Sequence, residues 1–214
     1  TKSHKSDIPI IVVGNLTIGG TGKTPLVKHI ASELIKRGYK PGIVSRGYGG
    51  KFKETLKVDE NTSVKETGDE AQILSKLNIP FYIDKNRVRA VEKINKNHDC
   101  DVIISDDGLQ HYKMKRDIEI AVIDGKRRFG NKLTFPAGPL RESIKRLDSV
   151  DFIVNNSGPT EEDEFLMNIS PSEFVHLKSG KTYKIDEWPM HNQVHAVAGL
   201  GNPGRFFDLL GKLG

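Results

Sequence analysis

Gly19-Gly20-Thr21-Gly22-Lys23-Thr24-Pro25 decides the reading of this 214-residue chain. Upstream lies Ile8-Pro9-Ile10-Ile11-Val12-Val13, a β-branched run of the kind buried in a parallel sheet. Downstream, Leu26, Ile30, Leu34 and Ile35 recur at helical spacing as far as Gly38, a natural stop. Strand, glycine loop, Lys-Thr and helix form a phosphate cradle. Glycines let backbone N–H groups turn toward an anion, and the helix N-terminus adds positive potential. Lys23 reaches the terminal phosphates of a nucleotide, and the Thr24 hydroxyl is a ligand for magnesium. The strict pattern G-x-x-x-x-G-K-[ST] asks for glycine at position 17, where this chain has Thr17.

Composition bounds the partners. A formal net charge of +5 and a pI near 9.1 favour anionic ligands: nucleotides, phosphorylated substrates, acidic lipid or nucleic acid. No run approaches the roughly 18 apolar residues of a membrane span, and no signal-peptide pattern is present. Cys100 is the sole cysteine, which excludes an internal disulfide. The sequence begins without Met and ends at Leu213-Gly214 with a helical pattern under way, so it is expected to be part of a longer protein.

Strand patterns at residues 10–13, 42–45, 81–83, 102–105, 118–123, 151–154 and 195–198 alternate with helical patterns at 25–37, 69–77, 87–95 and 204–213. This rhythm predicts an α/β fold of the P-loop NTPase type, a mostly parallel sheet with helices on both faces. Ligands then sit at the carboxyl ends of the strands. Residues 174–177 and 181–185 flank Ser179-Gly180 and read as a β-hairpin. The expected division is a nucleotide-binding domain at 1–170, a hairpin connector or hinge at 171–190, and the start of a second α/β lobe at 191–214. Glu161-Glu162-Asp163-Glu164 reads as the acidic first turn of a surface helix.

The second chemical signal is Val102-Ile103-Ile104-Ser105-Asp106-Asp107-Gly108, an apolar strand ending in two carboxylates. Such an end holds magnesium in phosphate-loop proteins, directly or through water; the competing reading is a plain Asp-Asp-Gly turn. His111 follows closely enough to orient one of these aspartates. Arg46, before Gly47-Tyr48-Gly49-Gly50, either clamps a phosphate or is merely solvated. Asp69 either caps a helix with Gln72 as a capping box or accepts a proton from an attacking alcohol. Arg141 and Glu142, after Pro136-Ala137-Gly138-Pro139-Leu140, either face phosphate and complete the magnesium shell or are a surface base and the N-terminal acid of a helix.

Gly199-Leu200-Gly201-Asn202-Pro203-Gly204 matches the dinucleotide pattern G-x-G-x-x-G, but its confirming acid would fall beyond residue 214, and it reads as a helix-entry turn. A GTPase needs an Asn/Thr-Lys-x-Asp guanine reader, and Asn131-Lys132-Leu133-Thr134 lacks the aspartate. An ATP-driven switch or a basic nucleic-acid module remains as the alternative class.

Gly14 to Pro25, Ser45-Arg46-Gly47-Tyr48, Gly68-Asp69-Glu70, Asp106 to His111 and Phe135 to Glu142 together resemble the tetraacyldisaccharide 4′-kinase (lipid A 4′-kinase) family in order and spacing. Thr17 is expected in that family. The resemblance implies transfer of the ATP γ-phosphate to the 4′-hydroxyl of an acylated disaccharide 1-phosphate, with Mg2+, at the cytoplasmic face of the inner membrane; the chain is expected to be a monomer and to take no nucleic acid. It implies that Gly19 to Pro25 bind ATP and that Thr24, Asp106, Asp107 and Glu142 organise the metal. By the same resemblance Asp69 is the general base, and Lys23, His111 and Arg46 support the site. An N-terminal membrane-associated helix and a C-terminal Asp-His-His stretch, whose histidine would partner the base, are implied outside this sequence.

Overall fold

The computed structural model describes residues 3–187, 194–199 and 203–213. Two compact units emerge, Thr1–Met167 and Asn168–Gly214. The first contains β1 (Ile10–Gly14), α1 (Lys23–Lys36), β2 (Pro41–Ser45), β3 (Leu56–Lys57), α2 (Val64–Thr67) and α3 (Asp69–Ser75). It continues through β4 (Phe81–Ile83), α4 (Arg87–Asn97), β5 (Val102–Asp106), β6 (Ile118–Asp124), a 3₁₀ turn (Ile144–Ser149), β7 (Phe152–Asn156) and β8 (Glu164–Met167).

These strands form one sheet in the order β3-β4-β2-β5-β1-β6-β7-β8, parallel throughout except for β3 against β4. Alternation along β1 and β5 serves two cores at once. Ile10, Val12 and Ile103 face a cluster closed by Ala90, Val91 and Ile94 of α4. Val13 and Ile104 face a second, closed by Leu26, Val27 and Ala31 of α1 and Leu74 of α3. Burial on both faces explains why these strands are continuous apolar runs.

The sheet also positions the chemistry. β1 pairs with β5 in the register Val13↔Asp106, so the loop leaving β1 and the acids ending β5 emerge side by side. The chain leaves β1 toward β2 on one side of the sheet and leaves β5 toward β6 on the other, so the crossovers from these two paired strands run in opposite directions. This is the switch point where open α/β sheets bind ligands.

Two expectations are corrected. The Glu161-Glu162-Asp163-Glu164 run does not open a helix; it turns into β8, which adds to β7 in parallel from Ile153↔Glu164 onward. Glu164 finds compensation from the Arg128 guanidinium at 2.7 Å and Asn155 Nδ2 at 2.7 Å instead of from a helix dipole. Residues 195–198 carry no regular structure, and no ladder partner meets them among the described residues. In the second unit, β9 (Glu173–Val175) and β10 (Thr182–Lys184) pair antiparallel as the expected hairpin, and α5 spans Pro203–Gly211. Of the glycine-rich segment before α5, Leu200, Gly201 and Asn202 lie outside the described residues.

Candidate active site

The phosphate loop is braced from three directions. Inside it, buried Asn15 donates from Nδ2 to Thr17 O (2.8 Å) and Gly19 O (3.4 Å). From β7, fully buried Asn156 donates from Nδ2 to Thr21 O (2.8 Å). From the loop after β6, Arg127 donates to Gly20 O at 3.1 Å. Gly22 stands at φ +95°, and a Cβ there would lie 2.2 Å from Asn156 Nδ2; only glycine fits. No side chain caps α1, so its first N–H groups remain available to an anion beside buried Lys23 and Thr24. Pro25, exposed at the third helical position, gives up no intrahelical hydrogen bond there.

Lys23 Nζ lies 3.5 Å from Asp107 Oδ1. Asp107 also takes Arg141 Nη1 on both oxygens, at 2.9 and 3.1 Å, and its backbone carbonyl accepts from Arg87 Nη2 at 2.6 Å. Burial would raise the Asp107 pKa, but Lys23 and then Arg141 overcome it and hold the carboxyl below its usual range. Asp106 contrasts with it: 1% exposed, neither carboxylate oxygen has a hydrogen-bond partner. Burial, then the nearby Glu70 charge, push its pKa up to about 7 against the pull of Lys23. An orphaned buried carboxylate beside a phosphate cradle is the donor a divalent cation requires.

The other predicted residues are placed as follows. Asp69 opens α3 exposed to solvent, with Gly68 at the cap position and no side-chain capping bond. Gln72 instead donates to Thr62 O and Thr67 Oγ1, so the capping-box expectation is corrected: Gln72 is drawn into the preceding turn. Glu142 is occupied by Gln110 Nε2 at 3.2 Å and by the Tyr112 hydroxyl. Among the described residues no three His, Cys, Asp or Glu side chains converge as a metal cage. His111 buries its Nε2 without a partner; burial, then Arg87, Arg116 and Lys113, lower its pKa to about 4, so it is neutral near pH 7. Arg46 is exposed just after β2 and adds its charge to the field at Arg87.

Sequence reasoning missed Arg87, Glu70, Asn15 and Asn156. Arg87 carried a signal: a cation at the first position of a helix opposes the helix dipole and needs an acceptor elsewhere, here the β5 end. Glu70 was within a quoted motif, but only the fold brings its charge to Asp106. Asn15 acts within its own loop, on Thr17 and Gly19, whereas Asn156 acts across 135 residues, a gap that spacing does not reveal.

The sequence profile of LpxK, tetraacyldisaccharide-1-P 4′-kinase, matches residues 1–214. The chain belongs to the LpxK family. It is 45% identical to the tetraacyldisaccharide 4′-kinase of Shewanella denitrificans across 99% of its own length and 64% of that protein. It is 46% identical to the Haemophilus influenzae enzyme, again across 99% of its length and 64% of the relative. The chain thus spans about 64% of the length of these two LpxK relatives. The crystal structure of "apo" form LpxK from Aquifex aeolicus in complex with ATP superposes with a TM-score of 0.81 at 31% identity. That match covers all of this chain and 70% of the other. The α/β fold with its mostly parallel sheet is therefore that of LpxK.

Proposed function

We propose that this chain is the nucleotide-binding and phosphoryl-transfer core of a tetraacyldisaccharide 4′-kinase. It would move the γ-phosphate of ATP to the 4′-hydroxyl of an acylated disaccharide 1-phosphate, at a membrane surface on the cytoplasmic side. The observation that carries the reading is the meeting of Lys23 with Asp107 at 3.5 Å beside the unpartnered Asp106 carboxylate. The family match and the ATP held by the Aquifex relative support it.

On this reading the N–H groups of residues 19–24 and the Lys23 ammonium hold the β- and γ-phosphates. Asp106 and the Thr24 hydroxyl fit Mg2+, Asp106 because it is buried without another partner. Waters and phosphate oxygens complete such a shell, so a protein cage of three acids is not needed. The ion would neutralise charge on the bridging and terminal oxygens. Asp107, tied to Lys23 and Arg141, orients those two cations, and Glu142 orients Gln110 and Tyr112 at the rim.

Asp69 accepts the proton of the attacking 4′-hydroxyl as its oxygen bonds to the γ-phosphorus. The bond to the β–γ bridging oxygen breaks and ADP leaves. Asp69 is uncapped and solvent-facing at the start of α3, and therefore free for this work. Neutral His111 and cationic Arg46 support the acceptor side. Among the described residues no helix is long and apolar enough to cross a membrane, so on this reading the 214 residues meet their lipid substrate from the surface.

The test is transfer of radiolabelled γ-phosphate to detergent-dispersed tetraacyldisaccharide 1-phosphate by the longer parent protein. Labelled product that disappears when the 4′-hydroxyl is blocked supports the assignment. ATP consumption indifferent to the glycolipid overturns it in favour of an ATPase switch.

A further inference from the structure

A narrow ribbon lies against the phosphate loop, and phosphoryl transfer makes no use of its outer side chains. Thr17 and Thr134 each bridge to Leu140. Phe135 N–H donates to Leu140 O (2.7 Å), Leu140 N–H to Leu133 O (3.1 Å), and Ile18 N–H to Pro139 O (2.8 Å). The ribbon buries Leu140 completely but leaves Phe135 68%, Leu133 52% and Ile18 48% exposed. Single exposed apolar residues are ordinary; three on one small frame beside a site are not.

The frame is rigid. Asn131 Nδ2 donates to Ala137 O (2.9 Å), Asn131 Oδ1 accepts from Leu133 N–H (3.2 Å), and Gly138 N–H donates to Thr134 O (3.1 Å). These bonds fix the backbone that presents Leu133 and Phe135, which lowers the ordering cost of an apolar contact.

The surroundings are basic. Residues 125–141 hold Lys126, Arg127, Arg128, Lys132 and Arg141 and not one Asp or Glu. Arg128 is matched by Glu161 and Glu164, and Arg141 by Asp107. Arg127 is held by Asp124 Oδ2 at 3.0 Å and donates to the backbone of Gly20, while Lys126 and Lys132 are exposed.

We propose that Ile18, Leu133 and Phe135 form a docking patch that enters the headgroup boundary of an anionic bilayer, while Lys132, next to Leu133 in the chain, meets lipid phosphate. Apolar and aromatic tips ringed by Lys and Arg are the chemistry of interfacial binding. Twofold pairing through this patch would bring the two Lys132 ammonium groups together, which argues against a second copy of the chain. Since Arg141 N–H donates to Leu16 O (2.6 Å) from the same ribbon, docking would hold the phosphate loop at the lipid surface. The inference goes beyond the kinase reading and is testable without turnover.

The experiment is flotation of the 214-residue chain with vesicles of phosphatidylcholine alone and of phosphatidylcholine with phosphatidylglycerol. The chain is expected to partition onto the anionic vesicles. Leu133→Ser with Phe135→Ser should lower the partition coefficient about tenfold or more, and Lys132→Glu should weaken the preference for phosphatidylglycerol. These side chains are exposed, so circular dichroism and the thermal midpoint should not change. Failure of the chain to bind vesicles, or unchanged partition of the double variant, overturns the proposal. A concentration-dependent sedimentation shift abolished by the same variant also overturns it, in favour of self-association. Failed phosphate transfer with intact vesicle binding counts against the kinase reading alone.

Discussion

Lys23 Nζ stands 3.5 Å from Asp107 Oδ1, an ion pair that joins the phosphate loop to the end of β5. Both groups are largely buried, so their coupling should exceed that of a surface pair. Lys23→Met is expected to weaken ATP binding and to lower turnover by about 10²-fold or more. Calorimetric titration and single-turnover transfer would measure the two effects. A double-mutant cycle with Asp107→Asn should be non-additive; strict additivity would mean the pair is not coupled.

Asp106 gives stability a pH dependence of unusual sign. Its folded pKa, about 7, lies above its ordinary value of 3.8, so between those values the folded chain binds more protons than the unfolded one. Stability contributed by the protonated carboxyl is complete below pH ~4 and is lost as pH rises through about 7. Asp106→Asn should remove that decline and be the more stable protein at alkaline pH, by on the order of a few kcal/mol. Urea titrations across this range in the presence of chelator test it. Magnesium-dependent nucleotide binding should move oppositely, strengthening as pH rises, because the ionised carboxylate is the ligand.

Asp69→Asn separates binding from chemistry. The residue makes no capping bond, so its loss should barely affect folding. ATP affinity should stay within about twofold while transfer falls roughly 10²- to 10⁴-fold. Near-normal transfer by this variant would remove Asp69 as the base and leave the nucleotide site standing.

Asn156 and Gly22 are expected to behave as one unit. Asn156→Ala strips the hydrogen bond from the Thr21 carbonyl and should cost about 1–3 kcal/mol. Gly22→Ala, at φ +95° and against Asn156 Nδ2, should cost more than about 1 kcal/mol and also weaken ATP binding. Thermal melts with and without ATP distinguish the two readouts.

The sequence by itself determined what depends on neighbours along the chain. The apolar runs ending at Val13 and at Ile104 announced buried parallel strands, and the glycines before Lys23 announced an anion cradle, because strand periodicity and backbone freedom are local properties. The hairpin around Ser179-Gly180 was legible for the same reason. Local patterns misled where a nonlocal partner competed for the residue. The acids at 161–164 turned into an edge strand that Glu164 opens, because β7 offered a ladder and Arg128 a counter-charge. Gln72 left Asp69 uncapped because Thr62 and Thr67 were nearer. Only the tertiary structure decided which aspartate is free: 83 residues separate Lys23 from Asp106 along the chain, yet β1–β5 pairing makes them neighbours. It ties Asp107 to two cations and leaves Asp106 buried and unpartnered. Burial and distance set a carboxylate's charge, and neither is written in the order of residues.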